Sequence, residues 1–550
     1  MYGLAWLDRL LRVLIPVALC LTTYLYLYPA FHGCAFPSKD ASIVSAFGDT
    51  LAQHYPFSRI LSASDVPSIP FRLLVLADPQ LEGDSSLPKP EDAFLAKLRR
   101  RWNELFAQEK DNILPSLLEN SQALLLEDIP EWVLSLRKKL DLFGNDYYLG
   151  HVYTTLHWWT VPSHVTVLGD LIGSQWVTDE EFDWRGWRYW NRVFVHGQRI
   201  GEEITTSKEA EKESTFEMTD ANWSRNIINI AGNHDIGYAG EISEKRMERF
   251  ERVFGKANWD VRFEYPENNN TVGSIDTVPS LHLIVLNSVI LDSPALSDEL
   301  QGETFAYLNS LISQRLRPVE DQSSFTLLLT HLPLHKEEGL CVDAPFFDYW
   351  GDDDGGGVYK PHGVREQNHL STHVSRQGIL KTVFGMSGNL DAPAQGKGRQ
   401  GLILTGHDHE GCDVWHYIPS NSTWSGSEEQ SEDDRDTEWD AVWWALEDSA
   451  RSHTGVREIT LRSMMGDYAG NAGLLSAWFD FEAGQWKYAI QRCSLDVKVW
   501  WAVHVVDLIV LALLVVSFVS HMIFAIRPPT SGSKQPLPPL KRLRVKPPKG

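Results

Sequence analysis

The sequence predicts an α/β fold, a sheet with helices packed on its faces, with an apolar helix at each end of the chain. Three observations carry this. Short runs rich in Val, Ile and Leu recur through the middle, each closing on Gly, Asp, Asn or His. Helix-like stretches such as 92–106 and 244–254 lie between them. Apolar stretches long enough to cross ~30 Å of hydrocarbon stand at 13–31 and 499–526.

The first apolar stretch, VLIPVALCLTTYLYLYPAF, follows Arg9 and Arg12, which predicts a cytosolic N-terminus. A cleaved signal peptide is the alternative, although no A-x-A site follows. The second stretch has Trp500 and Trp501 at one edge and Arg527 at the other. The tail behind it carries seven Lys/Arg and no acid, and reads as cytosolic. The expected organisation is a cytosolic start (1–12), a span (13–31), a lumenal domain (32–498), a second span (499–526) and a basic cytosolic tail (527–550). N-x-S/T sequons at Asn222, Asn269 and Asn421 all fall in the lumenal part, as glycosylation requires. His504 and Asp507, on one helical face of the second span, mark either function, a helix contact or solvated interfacial groups. Lys546 and Lys549 do not fit a strict dilysine retrieval signal.

The chain has 550 residues with a formal net charge of -23, and the basic tail leaves the middle more acidic still. Such a domain repels nucleic acid and favours cations, either metal ions or amine-bearing substrates. Hydrophobic content of 43% and 21 Trp favour a packed globular domain over disorder. Five cysteines are too few for a disulfide scaffold, and no C-x-x-C spacing points to a thiolate metal site. Cys20 lies in the first span, while Cys34, Cys341, Cys412 and Cys493 share a compartment and can pair in a connectivity left open.

The strands come in order. Residues 71–77 close on Asp78, 165–168 on Gly169-Asp170, and 227–231 on Gly232-Asn233-His234-Asp235. Residues 325–330 close on His331, and 401–405 on Gly406-His407-Asp408-His409. Loops at strand ends are where α/β folds place chemistry. The acidic and Gly/Ser-rich stretches 351–357 and 425–436 read as solvated loops. A lone Gly-Asp or a lone His carries no weight. The full set, each member closing an apolar run, supplies the oxygen and imidazole donors that two divalent cations need, with one carboxylate to bridge them.

These blocks resemble the calcineurin-like metallophosphoesterase signature of D-x-H, G-D, G-N-H-D/E, an isolated H and G-H-x-H, spanning Asp78 to His409. The resemblance implies a four-layer sandwich, two mixed sheets flanked by helices, and a dinuclear phosphoesterase. It implies that Asp78 and His409 bind the first metal, Asp170 bridges, and Asn233, His331 and His407 complete the second site. His234, oriented by Asp235, would protonate the leaving oxygen, since an alkoxide needs an acid to depart. Gln80 stands where the family has His. It is an oxygen ligand favouring Mn²⁺, a group that hydrogen-bonds a ligand water, or the mark of a crippled first site. Manganese is the expected metal, with iron or zinc as alternatives.

Asp78-Pro79-Gln80, residues 143–148 (FGNDYY), 232–238 and 463–478 (SMMGDYAGNAGLLSAW) further resemble the fungal branch that remodels glycosylphosphatidylinositol anchors. That implies a membrane-bound enzyme of the endoplasmic reticulum removing ethanolamine phosphate from a glycan mannose. Its partners would be anchored proteins or their glycolipid, the membrane and export cargo receptors. Two other functions stay open, a lumenal phosphatase or pyrophosphatase of different substrate, and a non-catalytic cargo or membrane adaptor. Residues 463–476 would recognise the glycan, or would simply form a tight turn into the last strand.

Overall fold

The computed structural model describes residues 2–526 apart from 41, 55–68, 84–89, 107–112, 207–213, 266–276, 314, 355–356, 420–438 and 446–453. Asn269, Asn421, the 425–436 loop and the basic tail lie outside the described residues. Asn222 is described, and is exposed in a short turn of helix, Ala221–Ser224. The chain divides into two units, Leu27–Val497 and the terminal segments.

The larger unit is built on two mixed sheets. In the six-stranded sheet the order is Gln485–Ser494, Asn471–Asp480, Phe71–Leu76, His164–Val167, Asn226–Asn229, Gln198–Arg199. In the eight-stranded sheet it is Asp440–Trp443, Cys412–Tyr417, Gly455–Thr460, Gly401–Thr405, Ser324–Leu329, Ser280–Val285, Trp259–Glu264, Thr215–Glu217. The five expected strands are all present, their ends shifted by a residue or two.

Residue alternation decides the layers. Phe71, Leu73 and Val75 point into one core with Leu283, Leu327, Leu329, Leu402 and Leu404 of the other sheet. Leu74 and Leu76, on the opposite face, are equally buried. A strand covered on both faces reads as a continuous apolar run, as these do. Each such side chain stabilises the fold by roughly 1.5–3 kcal/mol.

A buried ion cluster braces the segment after Ser324–Leu329. Lys336 and His416 both meet the Glu458 carboxylate, which also accepts from the Leu334 backbone N–H at 2.9 Å. Burial pushes the Glu458 carboxyl up, but Lys336 and His416 outweigh it and bring it down to about 2. The cysteine connectivity left open by the sequence is Cys34–Cys493 and Cys341–Cys412, with Cys20 free.

In the terminal unit, helices Tyr2–Tyr26 and Val497–Ile526 pack antiparallel through Leu11, Ala18 and Val510. Thr22 donates to the Asp507 carboxylate at 2.9 Å, and Ser517 donates to Asp8 at 3.1 Å. Asp507 is therefore a helix contact, while His504 bonds its own helix at the Trp500 carbonyl. Among the described residues one helix, Val497–Ile526, is long and apolar enough to cross a membrane. The N-terminal apolar run, expected as one helix over 13–31, is helical with different bounds. Its helix begins at Tyr2 and stops at Tyr26, and Tyr28–Phe31 is a separate turn. Pro29 at the start of that turn has no N–H to continue the ladder.

Candidate metal centre

Sheet topology gathers the motif residues. The strands ending near Asp78, Asp170 and Asn233 are parallel neighbours in one sheet. Those ending at His331 and His407 are parallel neighbours in the other. All five carboxyl ends therefore open toward the same edge of the sandwich.

The loops are held in conformations that most residues avoid. Asp78, Gln80, Asp170 and His407 all have positive φ, between 40° and 74°. Backbone of this kind costs on the order of 1–3 kcal/mol per residue and persists where the surroundings over-determine it. Here they do. Gln80 N donates to the Asp170 carbonyl at 2.9 Å, and His407 N donates to Asp78 Oδ1 at 3.0 Å. His234 N donates to Asp170 Oδ1 at 2.9 Å. Two glycines permit this approach. A Cβ on Gly169, at φ +93°, would stand 2.3 Å from His331 Nδ1, and one on Gly232 would stand 2.2 Å from Asp170 N.

The structure brings the predicted ligands into two groups that could each hold a cation, Asp170–His331–His407 and Asp78–Asp170–His409. Asp170 belongs to both, as a bridging carboxylate must. Burial, and then the charge of Asp170, push the Asp78 carboxyl well above the usual range. Two such carboxylates ionise together only beside compensating positive charge.

The second group tests this directly. His331 Nδ1 lies 2.8 Å from the Leu168 carbonyl and His407 Nε2 lies 3.0 Å from the Gln367 carbonyl. A carbonyl only accepts, so each ring spends its single proton there. Burial keeps both rings neutral, with His407 lowered to about 3. His331 Nε2 and His407 Nδ1 therefore present lone pairs, at 2.9 and 3.0 Å, to Asn233 Oδ1. His331 Nε2 also lies 3.3 Å from Asp170 Oδ1. With Asn233 Oδ1 toward them, the two free ring nitrogens converge with Asp170 Oδ1 on one point, an arrangement a divalent cation satisfies.

In the first group Gln80 Nε2 stands 3.0 Å from Asp170 Oδ2 and 3.1 Å from His409 Nε2. The amide donates between two ligand atoms, while buried Asp78 Oδ2 has no hydrogen-bond partner. Turning the amide would present Oε1 in place of the N–H donors. Gln80 thus occupies the position expected of it, and its role stays open between ligand and neighbour.

His234 behaves differently from the ligands. Its side chain is 38% exposed and its Nε2 lies 3.8 Å from Asp170 Oδ2. Asp235 does not orient it. The Asp235 oxygens accept from Ile172 N at 3.0 Å and Gly232 N at 2.9 Å, and its buried carboxylate shapes the turn instead. Asp170 holds the His234 backbone, and the buried Nδ1 of the ring has no hydrogen-bond partner.

Several supporting residues carry no local sequence signal. Ser463 Oγ donates to the Asp78 carbonyl at 2.9 Å, and Tyr468 packs edge-on to His409 at 4.9 Å. Arg185 and Arg188 bind the Leu81 and Glu82 carbonyls behind Gln80 at 3.2 and 2.6 Å, and Arg188 pairs with buried Asp146. The segment 463–476 is a turn entering the Asn471–Asp480 strand, and its Tyr468 lines a cavity of about 500 Å³ beside His407 and His409.

The paired sheets and the convergent acceptors define a calcineurin-like metallophosphoesterase. No family model matches the chain, but its relatives agree with that class. Metallophosphoesterase 1 of Danio rerio is 24% identical over 341 residues, 59% of this chain and 70% of its own. Uncharacterized protein C23A1.02c of Schizosaccharomyces pombe is 27% identical over 403 residues, 69% of this chain and 81% of its own. Protein TED1 of Saccharomyces cerevisiae is 34% identical over 401 residues, 66% of this chain and 75% of its own. The chain belongs to the TED1 family of metallophosphoesterases.

Proposed function

We propose that this chain is a two-metal phosphodiesterase that removes ethanolamine phosphate from a mannose of glycosylphosphatidylinositol anchors. The observation that carries the reaction class is the convergence of the free ring nitrogens of His331 and His407 with Asp170 Oδ1, beside Asn233. Asp78, Asp170, Asn233, His331, His407 and His409, with Gln80 as ligand or neighbour, would hold the cations. Manganese suits their mixture of oxygen and imidazole donors. Bound there, the cations supply the positive charge that a phosphate diester needs in its transition state.

The chain's own residues do the rest. His234, half open to solvent beside Asp170, would donate a proton to the departing mannose oxygen. Asp170 holds the His234 backbone, which fixes where that ring begins. Asp343, Asp408 and Glu410 line the cavity beside His407 and His409, a setting that suits the ammonium of ethanolamine. The substrate follows from the resemblance to the anchor-remodelling branch and from the TED1 relationship.

The proposal places the enzyme in the endoplasmic reticulum membrane with its domain in the lumen and exported anchored proteins as its clients. The apolar helix Val497–Ile526 supports membrane attachment, and the exposed sequon at Asn222 supports the lumenal side. Mass spectrometry of anchor glycans from cells lacking the protein tests the substrate. Retained ethanolamine phosphate on one mannose is expected, and an unchanged profile would remove this substrate while leaving the reaction class.

A further inference from the structure

The long helix Ile129–Thr160 is buried over its second half, where Tyr148, Leu149, Val152 and Leu156 enter the core. Its first half is different. Trp132, Leu136, Leu140, Phe143 and Tyr147 recur at helical spacing and form one stripe, each between 44% and 59% exposed. A soluble surface does not usually string five large apolar side chains together.

The stripe continues onto a second helix, Asp179–Arg188. There Trp184 and Trp187 stack in parallel at 4.9 Å and are 44% and 47% exposed. Arg192 joins the two patches. Its guanidinium lies 6.0 Å from the Phe143 ring and 5.7 Å from each of the Trp184 and Trp187 rings. Lys139, next to the stripe in the helical projection, is also exposed. Tryptophan and tyrosine mixed with aliphatics and flanked by basic residues is the composition of the bilayer interface.

We infer that this surface, Trp132 to Tyr147 with Trp184 and Trp187, lies in the headgroup region of the bilayer that holds the terminal helices. The inference rests on the membrane attachment proposed above and is independent of the reaction. Position in the chain favours lipid over a protein partner. Tyr148, next to the end of the stripe, donates its hydroxyl to the Leu495 carbonyl, two residues before the apolar helix begins at Val497. The Cys34–Cys493 disulfide ties the other exit of the domain to the strand Gln485–Ser494, which leads into Leu495. From Tyr147 the stripe runs back about 22 Å along the helix at 1.5 Å per residue.

The surface is also wired to the metal centre. Asp146, on the same helix, pairs with Arg188 at 2.6 Å, and Arg188 holds the Glu82 carbonyl just past Gln80. A domain docked on these residues keeps the Asp78–Gln80 loop at a fixed orientation to lipid-borne substrate. Docking then raises the effective concentration of substrate at the site beyond what a tether alone provides.

Spin labels test this on the full chain. Leu136→Cys and Leu140→Cys, each with Cys20→Ser, would be labelled and reconstituted in phosphatidylcholine–phosphatidylethanolamine vesicles. Leu390→Cys, at an isolated apolar side chain 76% exposed, is the control. Labels at 136 and 140 are expected to collide several-fold more with oxygen than with a water-soluble nickel chelate, and the label at 390 the reverse. Nickel access at 136 and 140 equal to that at 390 would overturn the inference. Exclusion of both reagents would overturn it too, pointing to a protein partner or a second copy on this face. Flotation of the same samples reports attachment separately. A chain that does not float sinks the attachment and this inference together, whereas floating chains with nickel-accessible labels sink the docking alone.

Discussion

The two halves of the metal centre share Asp170 and little else. Around Asn233, His331 and His407 each ring spends its proton on a backbone carbonyl, and both free ring nitrogens face Asn233 Oδ1. Around Asp78 and His409 the amide of Gln80 inserts donors between two ligand atoms. One half is built to be completed by a cation. In the other the Gln80 amide already bonds Asp170 and His409, while Asp78 Oδ2 is left without a partner. The difference teaches that a dinuclear pattern in sequence need not mean two equivalent sites, and it predicts that the Asn233 half binds first.

The largest effect should come from the residue both halves use. Asp170→Asn removes the shared charge and should lower diester hydrolysis by at least about 10³-fold, measured in steady state. A variant retaining most activity would show that the halves do not depend on a common carboxylate. His234→Ala should cost about 10²-fold in turnover with both cations still bound, as removal of a general acid does. Metal loss in that variant with the metal-normalised rate intact would make His234 a ligand instead.

Glu458→Ala addresses the second half through its support. Lys336 would be left buried without its partner, and the fold should lose about 3–5 kcal/mol in denaturant titration. Glu458 is held below its ordinary 4.5, so its contribution is present above that pH and lost as pH falls toward about 2. Wild-type stability that does not fall across that window, or an E458A variant as stable as wild type, would contradict this reading. The smallest effect is expected at Gln80→His. An added imidazole should raise zinc or iron affinity of the weaker site by on the order of tenfold and bring the two halves closer together. Unchanged affinity would leave Gln80 a bystander.

Much of this was legible before the structure. The strands and the candidate ligands could be read because a strand buried on both faces is a continuous apolar run, and its polar terminus stands out. Asp78, Asp170, Asn233, His331, His407 and His409 all declared themselves this way. What escaped were contacts between residues far apart in sequence. Cys34 and Cys493 are separated by 459 positions, and nothing local marks Arg188 as the partner of Asp146. The resemblance implied that Asp235 orients His234, yet two backbone amides take its oxygens. The N-terminal helix begins at Tyr2, ahead of the apolar run, and carries Asp8 to Ser517 and His521 within the helix pair.

Titration of the chelated full chain with Mn²⁺, following free ion by electron paramagnetic resonance, tests the central claim most directly. Two unequal sites sharing Asp170 predict about two ions per chain in two separable steps, with both steps weakened in Asp170→Asn. A single ion, two equal steps, or one step left at full affinity in that variant would contradict it.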